Sequence, residues 1–166
     1  DILKSIRVAV SGDMATRVSL EGVVQDAQFA FTGTSGHIEK GDLWEKNVPI
    51  KRLDFRARFE NNPGSLDIEK FDLNVGGPTI SLSGSVIGVG DQVTIVGRAG
   101  VKSIQLGRLK DFWPRGFGKV ARRWVLGNMR QGQVENAQAS ISVRIPDTEK
   151  SDVLVDSFAG KLRLRN

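Results

Sequence analysis

Histidine, cysteine and acidic residues build most catalytic and metal sites, and this chain offers few arrangements of them. Its 166 residues include one histidine, His37, and no cysteine, which excludes disulfides, thiolate chemistry and cysteine-ligated zinc. A catalytic triad would have to be built on His37 in TGTSGHIEK, where Ser35 is too close in sequence to indicate more than a polar loop. The GxxxxGK(S/T), GxGxxG, GxSxG and HExxH motifs are absent.

Paired carboxylates are the remaining catalytic option, because 19 acidic residues allow many pairs that would suit glycoside hydrolysis. Asp54, Glu60, Asp67 and Glu69, however, fall on the polar phase of predicted strands, where solvated charges belong. We therefore predict that the protein is not an enzyme and needs no metal or other cofactor.

A basic cluster lies between Asp111 and Glu135, a stretch that contains no acidic residue. Its members are Arg115, Lys119, Arg122, Arg123 and Arg130. The cluster and the net charge of +5 suit an anionic partner. Nucleic-acid or carbohydrate binding would need exposed aromatic platforms, whereas Phe55, Phe59 and Phe71 share the apolar phase of strands. We expect no nucleic acid, and the basic cluster is either a solvated face or a site for another anionic partner such as lipid headgroups.

One helix, predicted over about residues 116–127, must position this basic cluster. The apolar residues Phe117, Val120, Ala121, Trp124 and Val125 recur at i, i+3, i+4, i+7 and i+8, which is the helical period. We expect this apolar stripe to pack on a sheet, with Trp124 as a core residue and the basic side chains outside.

The rest of the chain is predicted to be mainly β, because short alternating runs are separated by glycine-rich turns. LDFRARFE at 53–60, PTISLSGSV at 78–86 and NAQASISVRI at 136–145 alternate most regularly. In SLDIEKFDLNV the apolar phase slips by one residue at Lys70, which predicts a β-bulge with both halves facing the same side. A last strand pair or bent strand is predicted from Val153 to Leu164.

The region before residue 51 is less regular. We predict strands around residues 6–10, 18–24 and 28–31, and an irregular connection over residues 33–50. No apolar run approaches the roughly 20 residues that span a bilayer, no signal peptide is evident, and the first residue is not methionine. We interpret residues 1–166 as one β-rich segment of a larger protein. Its parts are strands and a loop at 1–50, antiparallel strands at 51–110, a helix insert at 111–130 and further strands at 131–166.

The apolar face of the predicted sheet is too large for the helix to cover. About eight strands, about 20 Å long and about 4.8 Å apart, present roughly 800 Å², whereas a helix of about ten residues covers roughly 150 Å². Either the strands close as a sandwich or barrel, or an apolar groove remains open and marks a binding site.

The stretch WPRGFGKVARRWVLGNMRQGQVENAQASISV resembles the conserved-helix signature of the AsmA-like family, in particular its YhdP type. The matching positions are Trp113, Pro114, Gly116, Ala121, Arg122, Trp124, Val125, Asn128, Gly132 and Val134. Upstream, FDLNVGGPTISLSGSV resembles the strand-turn-strand repeat of the same family. Together these stretches span roughly residues 65–145.

The resemblance implies a bridge-like lipid-transfer protein of the Gram-negative envelope. Such a protein is anchored in the inner membrane, and its curled, taco-like sheet crosses the periplasm and carries phospholipids towards the outer membrane along an apolar groove. The groove-lining residues are then Leu53, Phe55, Phe59, Leu66, Ile68, Phe71, Leu73, Ile80, Leu82, Val93, Ile95, Ile141 and Val143. The helix would pack at the groove edge or mouth through Phe117, Val120 and Trp124. Its basic side chains would then meet phospholipid headgroups or a membrane surface; these are Arg115, Lys119, Arg122, Arg123 and Arg130.

The alternative interpretation is a closed β-sandwich or barrel that serves as a structural or assembly module of the envelope. In an isolated open segment, the two end strands would expose edges that invite pairing with another copy.

Overall fold

The computed structural model shows an antiparallel β-sheet with a helical segment inserted before its last two strands. It describes residues 5–41, 44, 46–89, 92–113, 115, 119–129, 131–146 and 154–165, without the side chains of Val89, Ala121, Pro146 and Val155. The strands are β1 (Ile6–Val18), β2 (Val24–Ile38), β3 (Val48–Ile50), β4 (Arg52–Glu60), β5 (Ser65–Asn74), β6 (Thr79–Val89), β7 (Gln92–Gln105), β8 (Gln133–Pro146) and β9 (Leu154–Arg165). The inserted segment consists of a 3-10 turn (Leu106–Arg108), α1 (Leu109–Phe112) and α2 (Lys119–Asn128). The prediction of a mainly β, antiparallel fold is confirmed.

The nine strands form one sheet in the order β1-β2-β4-β5-β6-β7-β8-β9, with β3 paired to β2 alone. Neighbouring strands are antiparallel throughout, as expected for strands that short turns connect. Because β1 and β9 lie at opposite ends of this order, the described strands are not closed into a barrel. The alternative of a closed barrel is therefore wrong for the described strands.

The bulge predicted near Lys70 is present in β5. Arg56 of β4 pairs with Lys70, whereas the next residue, Ala57, pairs with Ile68, so that Glu69 is the extra residue. The apolar residues on both sides of the bulge consequently face the same side of the sheet.

The N-terminal strands are longer than predicted. Residues 18–24, predicted as a strand, hold the β1–β2 turn, in which the Ser19 hydroxyl accepts the backbone N–H of Val23 at 3.2 Å. Residues 33–38, predicted as an irregular connection, belong to β2 instead, and β3 lies within the same predicted connection. The register of β2 shifts beside Ser35, whose φ is 68°. This irregularity breaks the alternation, which is why the sequence pattern did not reveal the full strand.

His37 lies inside β2 and not in a loop, contrary to the sequence prediction. It pairs with Arg7 of β1 on one side and Pro49 of β3 on the other. Its partly buried ring is thus held between two strands.

Most buried apolar side chains form two clusters at one end of the sheet, whereas Ala27, Ala57 and Val143 are buried outside them. The first cluster consists of Ile38, Val48, Ile50, Leu73 and Val75. The second consists of Ile104, Leu106, Leu109 and Val134, against which residues of α2 pack. Ile80 packs on the first cluster and its cross-strand partner Val101 on the second, so both clusters lie at the same end.

The helix α2 packs through only part of the predicted stripe. Val125, Leu126 and Met129 contact the second cluster, whereas Val120 is 83% and Trp124 61% exposed. The predictions that Trp124 is a core residue and that Val120 packs on the sheet are therefore wrong. Another residue of the predicted stripe, Phe117, lies outside the described residues.

Candidate functional site

The strand register places all the predicted groove residues on one face of the sheet. Directly opposite residues of an antiparallel pair share a face, so chains of paired residues cross the sheet as rows. One row runs Phe31, Phe55, Phe71, Leu82, Ala99, Ala139 and Gly160. The next rows run Phe29, Ala57, Ile68, Gly84, Gly97, Ile141 and Phe158, then Ala27, Phe59, Leu66, Val86, Ile95 and Val143. Leu53, Leu73 and Ile80 belong to a row on one side of these, and Val93 to a row on the other.

This apolar face, defined by those rows, has no second layer over its middle in the described part of the chain. The packing of α2 is confined to the cluster at one end. Leu82 and Ile141, which lie near the middle, are 41% and 38% exposed, and Phe158 on the edge strand is 69% exposed. Large apolar side chains are therefore exposed to water at several strands along these rows, from the middle of the sheet to its β9 edge.

Aromatic rings form a continuous line at the β2 side of the apolar face. The ring centroids of Phe29 and Phe31, Phe31 and Phe55, and Phe55 and Phe71 are 6.3, 6.4 and 6.4 Å apart. These separations lie within the range of favourable aromatic contacts. Neighbouring phenylalanine rings therefore follow one another across the three strands β2, β4 and β5.

A depression of about 290 Å³ opens in the middle of the apolar face. Ile68, Leu82, Val86, Ile141 and Phe158 are among its walls. Its floor is lowered by the paired glycines Gly84 and Gly97, which carry no side chain. A volume at the lower limit of small-molecule sites, roughly 300 Å³, suits part of an acyl chain better than a whole lipid.

The opposite, polar face of the sheet holds larger depressions, of about 650 and 460 Å³. Their linings include Ser81, Ser83, Arg98, Gln138 and Lys161. Small hydroxyls and flexible charged side chains on a strand surface are readily hydrated, so the larger volume alone does not make this face the better site.

An ion pair on the polar face accounts for Asp54, one of the acidic residues considered as candidate catalysts. Asp54 is only 7% exposed, and the Lys70 ammonium donates a hydrogen bond to its carboxylate across β4 and β5. This bond, opposed by desolvation, lowers the pKa of Asp54 below its ordinary value and raises that of Lys70. Asp72 lies 3.5 Å from the same ammonium. The Lys70 ammonium thus lies within ion-pair distance of both carboxylates, which is typical of a structural network.

The predicted basic cluster is brought together at α2. Arg115, Lys119, Arg122 and Arg123 line a depression of about 430 Å³ together with Leu126 and Gly127. No acidic side chain is among these lining residues. Arg122 is partly buried, and its Nε donates to the Trp113 carbonyl at 3.3 Å. Arg130 lies outside the described residues.

Most described residues of the stretch that resembles the AsmA-like signature hold the helical insert in place. Trp113 packs on the second cluster, the side-chain amide of Asn128 donates to the Trp124 carbonyl at 2.7 Å, and the Gly132 carbonyl accepts the N–H of Leu106 at 3.0 Å. The exposed side chain of Trp124 is the exception. Pro114, Gly116 and the side chain of Ala121 lie outside the described residues.

Several residues of the apolar face were missed at the sequence level. Phe29 and Phe31 follow the alternation of AQFAF, and Phe158 follows that of SFAGKL, so a signal existed. Met14 of β1 pairs with Phe29 and is 63% exposed. The apolar face therefore reaches both edge strands.

No protein-family model, curated protein or solved structure matches this chain. None of the helices among the described residues is both long and apolar enough to cross a membrane. Within the same part of the chain, no group of three or more histidine, cysteine, aspartate or glutamate side chains is placed to hold a metal ion.

Proposed function

We propose that this chain is a segment of a phospholipid-carrying protein, whose lipid tails lie on the apolar face of the sheet. The parent protein is anchored in the inner membrane of a Gram-negative bacterium and acts in the periplasm between the inner and outer membranes, as the AsmA-like resemblance implies. The observation that carries the proposal is the continuous apolar face, which has no second layer over its middle in the described part of the chain and extends from β1 to β9.

The size of this face supports a lipid ligand. Eight neighbouring strands about 4.8 Å apart, with about 30 Å of length each, give a footprint of roughly 1,000 Å². The two clusters and the helical segment cover one end of it, so the exposed apolar area is smaller than this footprint. Monomeric proteins rarely expose apolar patches above about 300 to 600 Å². Covering the face with acyl chains removes it from water, at about 0.8 kcal/mol per buried CH₂.

The mechanism involves no covalent chemistry. The rows cross the strands, so a tail that lies along a row meets a new side chain at every strand, about every 4.8 Å. Because each position offers a similar apolar surface, a lipid moves along the sheet without returning its tail to water. A curled sheet would shield the tail further and leave the headgroup hydrated.

Lipid extraction from the purified chain tests the proposal. We expect wild-type protein to carry phospholipid, identified by mass spectrometry after organic extraction, at about one or more per chain. Leu82→Glu combined with Ile141→Glu places charge on exposed positions of the apolar face, where burying an ionised group against a lipid tail is unfavourable. We expect at least a ten-fold loss of bound lipid, with an unchanged far-ultraviolet circular dichroism spectrum.

Gln138→Glu is the matched control, because it adds charge to the same strand as Ile141 but on the polar face. It should retain wild-type lipid. Equal lipid in all variants would contradict the assignment of the face. Lipid-free wild-type protein that also fails to move fluorescent phospholipid between vesicles would overturn the proposal and favour the structural-module alternative.

A further inference from the structure

The outward side of α2 combines apolar and basic side chains. At about 100° per residue around a helix, Val120 and Trp124 lie next to each other, and Lys119 and Arg123 form a stripe beside them. The side that packs on the second cluster, through Val125 and Met129, is on the far side of the helix. This outward surface, defined by Lys119, Val120, Arg123 and Trp124, is exposed in the described structure.

Trp124 is largely exposed, unlike the other two tryptophans of the chain. The other two tryptophans, Trp44 and Trp113, are partly buried and pack on the two clusters, whereas Trp124 is 61% exposed. A large exposed indole beside an 83% exposed Val120 leaves apolar area in water that the fold does not use. Its placement points to an external partner.

The charge of the surrounding surface selects an anionic partner. Lys119, Arg122 and Arg123 line the basic depression, and no acidic side chain is among its described lining residues. Lys119 and Arg123 are like charges four residues apart on one helix, which is unfavourable unless an anion lies between or above them.

The combination of tryptophan, valine and a basic stripe is typical of helices that lie in a membrane interface. Tryptophan is enriched at the headgroup level, and basic residues of such helices attract anionic lipids. A purely phosphate-bearing ligand would satisfy the cations but leave Val120 and Trp124 in water. We propose that the outward surface of α2 is a docking site for an anionic phospholipid bilayer, with Trp124 inserted at the headgroup level.

The residues of this docking site are separate from those of the apolar face. Bilayer docking and lipid carriage can therefore be tested, and rejected, independently of each other. Lipid carriage needs the rows of the sheet, whereas bilayer docking needs the surface of α2. Docking would bring the sheet end that α2 covers next to a membrane, where lipids enter or leave the apolar face. That consequence rests on the proposed function, but the docking itself does not.

Vesicle flotation of the full chain tests the docking site. We expect wild-type protein to float with vesicles of phosphatidylcholine mixed with phosphatidylglycerol, and to float poorly with phosphatidylcholine alone. Trp124→Ser, and separately Lys119→Glu with Arg123→Glu, should each lower the vesicle partition coefficient by about ten-fold or more. Trp124→Phe should keep most of the binding. It should remove two signals of tryptophan insertion: the blue shift of the emission on vesicle binding and the quenching of that emission by brominated lipid.

Matched controls separate this surface from general effects. Leu20→Ser removes a fully exposed apolar side chain in the β1–β2 turn. Lys161→Glu with Arg163→Glu makes the same net-charge change as Lys119→Glu with Arg123→Glu, but on β9. Both should bind vesicles like the wild type. Equal losses in these controls, or wild-type protein that binds soluble glycerophosphate but no vesicle, would overturn the docking proposal.

Two further measurements distinguish a failure of the docking proposal from a failure of the proposal that the apolar face carries lipid. Trp124→Ser should still carry wild-type amounts of extracted phospholipid. Leu82→Glu with Ile141→Glu should still float with anionic vesicles, and loss of flotation in that variant would assign vesicle binding to the apolar face instead.

Discussion

Gly84 and Gly97 face each other on β6 and β7 in the floor of the central depression, yet only one of them has room for a side chain. A Cβ added at Gly97 would meet Ile141 Cγ2 at 3.8 Å, an ordinary contact. A Cβ at Gly84 would meet the Val96 carbonyl oxygen at 2.2 Å, and Gly84 adopts a φ of 153°. The backbone at position 84 thus accepts only glycine without strain, whereas position 97 has space for a larger side chain.

Gly97→Leu should therefore fill the depression without unfolding the sheet. We expect a several-fold loss of bound phospholipid, together with a free energy of unfolding unchanged or raised by about 0.5 to 1 kcal/mol, because glycine is unfavourable inside a strand. Lipid extraction and urea denaturation measure the two effects. Gly84→Ala provides the contrast, since it should destabilise the protein by about 1 to 3 kcal/mol. Unchanged lipid content in Gly97→Leu would argue against the depression as a tail site.

At the scale of single elements, the sequence predicted strands β4 to β8 well because their alternation is nearly unbroken. The bulge at Glu69 was also readable, because one extra residue in a strand shifts the apolar phase by one position and leaves the alternation intact on both sides. The long form of β2 was not readable, because its irregularity at Ser35 breaks the period. In α2, Val120 with Trp124 and Val125 with Met129 form two apolar sides, and periodicity does not tell which side packs.

The β4–β5 hairpin carries an ion pair that makes a pH dependence predictable. The hydrogen bond from Lys70 lowers the pKa of Asp54. The ionised carboxylate therefore adds to the free energy of unfolding, in full above the unfolded-state pKa of about 3.9. This stabilisation is lost as the pH falls through the folded-state pKa. The raised pKa of Lys70 adds a contribution that is lost at alkaline pH, above about 10.4.

Asp54→Asn should accordingly lower the melting temperature at pH 7 and flatten the loss of stability below about pH 4. Lys70→Met should flatten the same acid region and the alkaline region as well. Thermal unfolding followed by circular dichroism over this pH range measures both profiles. An acid profile of Asp54→Asn that parallels the wild type would show that the ion pair does not contribute to folding stability.

At the scale of the whole molecule, the sequence predicted which residues belong to the candidate site, but it did not predict whether they form an exposed surface. Alternation identified which side of each strand is apolar, so the predicted residues, such as Phe55, Leu82 and Ile141, share one face. Alternation alone does not show whether a second layer covers that face, because coverage depends on contacts between distant parts of the chain. It also gave no sign that Gly84 and Gly97 would pair to form the depression.

The open edges of the sheet lead to the last prediction, on self-association. Both edge strands continue the apolar face, with Met14 63% exposed on β1 and Leu162 55% exposed on β9. Unpaired strand edges with apolar side chains are templates for pairing with another copy. Because strand direction alternates along the order, β1 of a second copy placed beside β9 would run antiparallel to it. Two such edges on one molecule permit open-ended growth.

Sedimentation equilibrium should therefore show a mass that increases with concentration beyond that of a dimer. Leu162→Lys places a charge on one edge, which should leave only β1 able to pair and limit the association to dimers. Adding Met14→Lys should yield monomers, because charged side chains on edge strands oppose edge-to-edge pairing. Gln138→Lys, in the sheet interior and on the polar face, should associate like the wild type. Association that persists unchanged in the double variant would place the contact on the apolar face itself, where bound lipid and a second copy would compete.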